Sequence, residues 1–374
     1  MTEYSPNLVV IDHSALAHNL RRIRDLVGPG TGISAVVKAD AYGHGMVGAA
    51  RTFVKAGAER LAVAHVQEGV RLREEGLGCP IVVLCGVTTR EEAAAAVEKD
   101  LIPVLSHPSP ARTLDEEGRR RNKRIRVQLK IDTGMGRLGI PHTETGGFLD
   151  SVCGLKALEL EGMVSHLSSA DEPDRGFTES QIRRFEEVLN SARARGSSLS
   201  CSSLANSAGV LWYPESRLGM VRPGIALYGG LPSPGLEPPV PLAPAMTLRA
   251  QVLQVRHLHA GTAVSYGRTF VTKTDCRMAV TSAGYSDGLP RSLSNKGQAM
   301  IHGTRVPILG RVCMNLIMVD VSGVARVEPG DEAVFLGSQG GSVLSGDDVA
   351  AVCGTISYEI FCAVGQSGKK MDIA

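Results

Sequence analysis

The stretch "GISAVVKADAYGHGMVGAARTFVKAGAERLAVA", Gly32 to Ala64, contains one full strand–turn–helix–strand unit. "GISAVV" is a continuous apolar run of strand length. A glycine-bearing turn, "DAYGHG", follows it, then "MVGAARTFVKAGA" with helical spacing, then a second apolar run, "RLAVA". Apolar runs joined by a helical crossover suit parallel strands buried on both faces. Lys38 stands where the first run ends. Most lysines in such places simply reach solvent. One pressed against apolar surroundings holds its proton less tightly, and its neutral amine can form an imine with an aldehyde. The turn behind it offers free N–H groups suited to phosphate, and Tyr42 adds a hydroxyl.

The alternation continues outward. From residue 30 to about 222 the runs "PIVVL", "IPVL", "IRVQLKI", "LELEGMVSH", "SLSCSS" and "LGMVRPG" follow the first two. Between most of them lie helical patterns such as "REEAAAAVEKD" and "TESQIRRFEEVLNSARARG". Eight strand candidates with intervening helices predict an α/β fold, a (β/α)8 TIM-type barrel, with a doubly wound open sheet as the alternative. The eighth unit is the weakest, because proline and glycine follow it directly. In a barrel of this kind Lys38 falls at the C-terminal face, where reactive groups gather.

The pattern breaks at "LPSPGLEPPVPLAPAM", Leu231 to Met246, whose six prolines exclude a helix interior or a central strand. Beyond it come short β-like runs: "LRAQVLQVRHL", "RMAVTSAG", "QAMIHGTRVPILGRV", "LIMVDVS" and "DEAVFLG". The barrel is placed over residues 8–235 and a mostly β C-terminal domain over 241–374, with the first few N-terminal residues packing against the latter.

Bulk properties narrow the function. The chain has 374 residues, room for two domains. A net charge of +2 gives no reason to expect nucleic acid or an anionic membrane as partner. No apolar run approaches a membrane span, and "MTEYSPNLVV" lacks the pattern of a signal peptide, so a cytoplasmic protein is expected. Eight cysteines without a C-x-x-C pair fit reduced thiols, not a disulfide framework or a zinc site, and no metal is expected. Cys85 and Cys153, flanked by apolar residues, read as core.

Further blocks bear on identity. "AVVKADAYGHG" (35–45) resembles the cofactor-binding signature of bacterial alanine racemases. So do "KIDTGMGRLG" (130–139), "GMVSHLSSAD" (162–171), "NSAG" (206–209), "VRPGIALYG" (221–229), "VSYGRTF" (264–270), "AGYSDGLPR" (283–291), "GRVCMN" (310–315) and "TISYEI" (355–360), in family order. The resemblance implies a pyridoxal 5′-phosphate (PLP) barrel followed by a β domain, and a PLP-dependent isomerase that interconverts L-alanine and D-alanine for peptidoglycan. It implies that Lys38 holds PLP as an imine and that substrate replaces it as an external aldimine.

The resemblance also implies roles for other residues. "GMGRLG" alone would fit a dinucleotide loop, with Glu159 and Glu161 downstream, but no helix opens at its last glycine and Pro141 follows closely. Arg137 within it would instead bond the PLP phenolic oxygen and lie near the substrate carboxylate. Arg222 would face the pyridine nitrogen. An arginine keeps its proton, so that nitrogen stays an acceptor and the electron sink is weakened, which favours racemisation over transamination. His166 would pack by the ring and link Arg222 to a catalytic tyrosine. Tyr42, Ser207, Gly224, Ile225 and Tyr358 resemble the phosphate set. Taken alone, each of these is an ordinary core, turn or surface residue.

Racemisation moves a proton off one face of Cα and onto the other, and two bases on opposite faces need no large motion. By resemblance Lys38 serves the D-enantiomer and Tyr266 the L-enantiomer. A phenol needs a cation close by to shed its proton near neutral pH. Tyr266 lies far along the chain from Lys38, and in this family it reaches the other subunit's cofactor, which implies a homodimer with composite sites. Met314 would line the substrate pocket. Tyr285, Arg291 and Asp171 would line the access channel. Asn315 stands where the family often has aspartate. Lys130 occupies a position carbamylated in some members; unmodified, it would repel Arg137.

Other functions are weighed against this one. A racemase of broader or different specificity, such as serine, is the nearest rival, and equal turnover of alanine and lysine would displace the alanine reading. A barrel-type PLP decarboxylase would release carbon dioxide, and the arginine opposite the ring nitrogen argues against it. A PLP carrier protein of related fold usually lacks a second domain.

Overall fold

The computed structural model describes residues 6–233, 235–367 and 370–374. The parallel strands are β2 (Gly32–Val36), β3 (Arg60–Val63), β4 (Ile81–Val83), β5 (Ile102–Leu105), β6 (Ile125–Asp132), β8 (Leu158–Val164) and β9 (Met220–Val221); the two-residue β7 (Ile140–Pro141) is an appendage on β6. Strands β2 to β6 pair in sequence order, β8 follows β6, and β9 pairs with β2. The seventh barrel strand, read from "SLSCSS", shrinks to Ser203, which bridges Val164 and Met220. Hydrogen bonds from Ser203 N–H to the Met163 carbonyl and from Met220 N–H to the Ser202 carbonyl complete the ring. Gly162 permits this approach, because a Cβ there would collide with the backbone of Cys201 and Ser202.

The strand interiors are apolar and buried, as parallel strands covered on both faces must be. Helices α3 (Met46–Lys55), α4 (Val66–Glu74), α5 (Arg90–Glu98), α6 (Pro108–Arg120), α7 (Thr145–Cys153), α8 (Gly176–Ala194) and the short α9 (Ser207–Trp212) form the outer layer. In α8 the buried positions are Thr178, Gln181, Ile182, Phe185, Val188, Leu189 and Ala192, one face of a 3.6-residue period. The weak eighth unit has only a 3-10 turn, Ile225–Tyr228, after its strand. Helix α1 (His13–Val27) precedes β2 and packs on that turn, on α3 and on α9, covering the gap.

Strand β1 (Leu8–Asp12) departs from the expected barrel start at residue 8. It joins the second sheet, between β10 (Met246–Leu258) and β19 (Lys370–Ile373). The reason is topological: β9 closes the parallel ring onto β2, so no edge remains for an eleventh-hour partner, whereas β10 offers one. In the C-terminal region β13 (Cys276–Thr281), β14 (Gln298–Ile301), β15 (Thr304–Leu309), β16 (Ile317–Asp320) and β17 (Glu332–Gln339) close an antiparallel ring with β10, and β18 (Ser342–Leu344) extends β17. A small ribbon of β11 (Ala263–Val264) and β12 (Phe270–Val271) projects from it. Helices α10 (Gly346–Cys353) and α11 (Ser357–Ser367) come last. Buried apolar residues of the two regions form one continuous core. The proline-rich stretch has neither strand nor helix among the described residues before Met246. No single described helix is long and apolar enough to cross a membrane, and no group of side chains there could hold a metal ion.

Candidate active site

Lys38 opens a left-handed turn, α2 (Lys38–Tyr42), at the C-terminal end of β2. Ala39, Asp40, Ala41 and Tyr42 have φ of 54, 52, 57 and 53°. Non-glycine residues in that region cost about 1–2 kcal/mol each, so the surroundings must hold them there. Three side chains do so. Asp40 accepts the Met46 N–H at 2.9 Å and pairs with Lys370. Glu68 of α4 accepts the N–H groups of Ala39 (2.8 Å), Ala64 (2.7 Å) and His65 (3.1 Å). His44 is fully buried, and its Nδ1 donates to the carbonyls of Ala41 and Tyr42 at 3.1 Å. Burial lowers the His44 pKa to about 4, so the ring is neutral. Neither His44 nor Glu68 is marked as a site residue by the sequence reading; glutamate at the third position of a helix start is the one signal that points to Glu68.

Lys38, Tyr42, Lys130, Arg137, His166, Ser207, Arg222, Gly224, Ile225 and Tyr358 all line one cavity of about 480 Å³. Most come from the C-terminal ends of barrel strands; Tyr358 comes from α11. Four are basic, and no carboxylate is among the residues lining the cavity, which therefore suits an anionic ligand. Burial first, and the Arg137 charge second, lower the Lys38 pKa, moving the amine toward its neutral, nucleophilic form. Val36, Leu84, Val104 and Val164 supply an apolar wall. Cys85 belongs to this wall as well. It is exposed there, as Cys153 is elsewhere, so the reading of both as core residues is corrected. Cys85 follows Val83, the last residue of β4, where the chain leaves the packed interior; Cys153 is the last residue of α7.

One end of the cavity is a hydroxyl-rich cradle. Ser207 Oγ accepts the N–H groups of Gly224 (2.9 Å) and Ala226 (3.3 Å), which leaves its own proton to donate. A Cβ on Gly224 would overlap the Tyr42 hydroxyl, so only glycine admits that phenol. The Tyr42 and Tyr358 rings lie 5.8 Å apart, and burial raises the pKa of both, keeping them protonated donors. Asp171 lies near enough to Tyr358 to add to that rise.

Arg222 is buried and donates through its terminal nitrogens to Ser203 Oγ and to the Ser165 carbonyl. Burial lowers its pKa to about 10, which still leaves it charged at neutral pH. No hydrogen bond joins the His166 ring to Arg222 among the described residues, contrary to the expected link. Burial, then the charges of Lys130, Arg222, Arg137 and Lys38, push His166 well below the usual imidazole range. Arg137 stands in a loop shaped by Asp132, whose carboxylate accepts the N–H groups of Gly134 (2.9 Å) and Gly136 (3.1 Å). Gly139 has φ of 121° and leads into β7, not into a helix, so the dinucleotide reading fails on geometry too.

Tyr266, Met314, Tyr285 and Arg291 do not line this cavity. Tyr266 sits at the tip of the β11–β12 ribbon, 68% exposed, and Met314 is 55% exposed. Ser265 Oγ donates to the Arg311 carbonyl at 2.7 Å, and the Tyr285 N–H donates to the Cys313 carbonyl at 3.0 Å. These bonds tie the three loops into one face, where Asn315 donates to Ser286 Oγ at 2.8 Å.

The sequence matches the alanine racemase N-terminal domain family over residues 11–232 and the C-terminal domain family over residues 245–371. The chain belongs to the alanine racemase family. An alanine racemase of Syntrophobacter fumaroxidans is 43% identical over 359 residues, covering 96% of this chain and 95% of its own. The crystal structure of alanine racemase from D-cycloserine-producing Streptomyces lavendulae superposes with a TM-score of 0.92 at 33% identity, over 100% of this chain and 98% of that one. The Bacillus anthracis enzyme with bound L-Ala-P gives 0.89 at 32%, over 100% and 96%.

Proposed function

We propose that this family member interconverts L-alanine and D-alanine with PLP held in the cavity described above. The observation that carries this reading is the convergence of the Lys38 amine, three further basic side chains (Lys130, Arg137 and Arg222) and a hydroxyl-rich cradle on one cavity lined by no Asp or Glu. The residues fit the cofactor. Ser207, Tyr42, Tyr358, Gly224 and Ile225 would hold its phosphate, the apolar wall its ring, and Lys38 its aldehyde. When bound, PLP supplies the electron-withdrawing ring that acidifies the Cα–H of an amino acid.

The chain's own groups do the rest. Lys38 Nζ, displaced when substrate takes its place, carries a proton on one face of Cα. Tyr266 Oη of a second copy of the chain carries it on the other. Arg137 holds the substrate carboxylate. Arg222 keeps its proton and faces the ring nitrogen as a donor. Met314 of the second copy limits side-chain size, and Asp171, Tyr285 and Arg291 line the approach. The exposure of Tyr266, Met314, Tyr285 and Leu316 supports a homodimer, because apolar side chains grouped on one face favour contact.

The test follows the circular dichroism of L-alanine and of D-alanine. Both should decay to zero with purified protein and PLP. Equal turnover of lysine would favour a broader racemase, and carbon dioxide release a decarboxylase. We place the enzyme in the cytoplasm, feeding peptidoglycan; a deletion strain that grows without added D-alanine and with no other racemase activity would contradict that role.

Lys130 is assigned a carbamate. Burial, then Arg222 and Arg137, lower its pKa to about 7, so much of the amine is neutral near that pH. The neutral amine adds to carbon dioxide and releases one proton, which leaves an anion near Arg222 and Arg137. Protein equilibrated with 13C-bicarbonate should show a carbamate carbonyl resonance that is missing from Lys130→Met. Identical spectra from the two proteins would remove the assignment.

A further inference from the structure

The C-terminal segment grips the Lys38 turn at three places. Tyr358 of α11 lies beside Tyr42. Gly365 and Gly43 meet backbone to backbone, and a Cβ on either would run into the main chain opposite. Lys370 of β19 pairs with Asp40, two residues from Lys38. Both Asp40 oxygens are used: one holds the start of α3 through the Met46 N–H, the other holds Lys370. The pair is about three-quarters shielded on the lysine side and two-thirds on the aspartate side, with 25% and 33% of the side chains exposed. A charge-assisted bond in that setting outweighs an ordinary surface pair.

The base of this grip is strand β19. Lys370 lies in register beside Val9 of β1, within the second sheet. That sheet also carries the ribbon with Tyr266.

We propose that the Asp40–Lys370 ion pair is a positioning device for Lys38, through which the second domain sets the angle at which the amine enters the cavity. The inference rests on Lys38 being the cofactor's anchor. Its logic is registration: the domain that carries one proton carrier fixes the turn that carries the other. A left-handed turn of four non-glycine residues does not hold itself. Glu68 and His44 restrain it from within the barrel and from the turn itself. Among the described residues, Asp40 alone of its side chains makes an ion pair with the second domain.

The experiment uses the full chain freed of cofactor, as wild type, Lys370→Met and Lys370→Arg. Two quantities are measured for each. One is the rate at which PLP becomes fixed to protein on borohydride treatment, the Lys38 amine having condensed with the aldehyde and lost water. The other is the affinity for pyridoxamine 5′-phosphate, which has the ring and phosphate but no aldehyde. In Lys370→Met, capture should slow about tenfold, the size expected for losing a charged hydrogen bond. Affinity for pyridoxamine 5′-phosphate should stay within about twofold, since the cradle is untouched. Lys370→Arg should recover the wild-type rate. Unchanged capture in Lys370→Met overturns the proposal, and so does an equal loss of both quantities, which is the mark of general loosening. If the wild type itself fixes no PLP, the anchor reading falls and this proposal with it; wild-type capture beside an unaffected Lys370→Met sinks the proposal alone.

Discussion

Replacing Lys38 by alanine should leave a folded chain that fixes no PLP on borohydride treatment and racemises L-alanine about a thousandfold more slowly or worse. Folding should survive because the turn is held by Asp40, Glu68 and His44, not by the Lys38 side chain. Thermal unfolding of the cofactor-free protein is the control. The sharper readout is peptide mapping of the fixed cofactor in the wild type. Lys130 lines the same cavity, and its pKa is also lowered. A neutral amine alone therefore does not single out Lys38; its place at the end of β2, opposite the Ser207–Gly224 cradle, does. Label on Lys130, or undiminished label in Lys38→Ala, would transfer the anchor to Lys130 and dismantle the proposed proton path.

The second large effect concerns sharing between chains. Lys38→Ala and Tyr266→Phe should each be nearly inactive as pure proteins. Mixed under conditions that let subunits exchange, they should regain about a quarter of the wild-type rate, since random pairing makes half the dimers mixed and each mixed dimer has one intact site of two. The other site of a mixed dimer lacks both groups. If Tyr266 served the cavity of its own chain, no mixture could restore an intact site and the rate would stay at the floor. The exchange of α-deuterium gives an independent view. Tyr266→Phe should lose exchange from L-alanine by about 10²-fold or more while retaining that from D-alanine. Loss of both to the same extent would deny the division of labour between the two faces.

Much of this architecture is legible in the sequence because parallel strands leave continuous apolar runs. "GISAVV", "PIVVL", "IPVL" and "IRVQLKI" became β2, β4, β5 and β6 with small shifts at their ends. Long-range pairing leaves no such trace. "LVVID" reads as a strand, but nothing local says that it pairs with Met246 and Lys370 neighbours instead of opening the barrel. The seventh strand, expected from "SLSCSS", is a single bridge residue, Ser203, brought beside β8 by the close approach that Gly162 allows. The site divides in the same way. Lys38, Tyr42, Lys130, Arg137, His166, Ser207, Arg222, Gly224, Ile225 and Tyr358 line one cavity, whereas Tyr266, Met314, Tyr285 and Arg291 stand apart from it. Glu68, His44 and Lys370 escaped notice because their parts depend on distances that sequence does not hold. In place of the expected His166–Arg222 link, the arginine's terminal nitrogens donate to Ser203 Oγ and the Ser165 carbonyl.

The side-by-side pairing of β1 with β19 bears on how the molecule is made. Val9 is made long before Lys370, its partner in register. Most of the barrel can collapse during translation, but β1 finds its first partner only in β10 and its second only in β19. Such distant closure is slow and leaves an apolar strand exposed in the meantime. Nascent chains stalled short of β10 should therefore draw chaperones even with the barrel already formed.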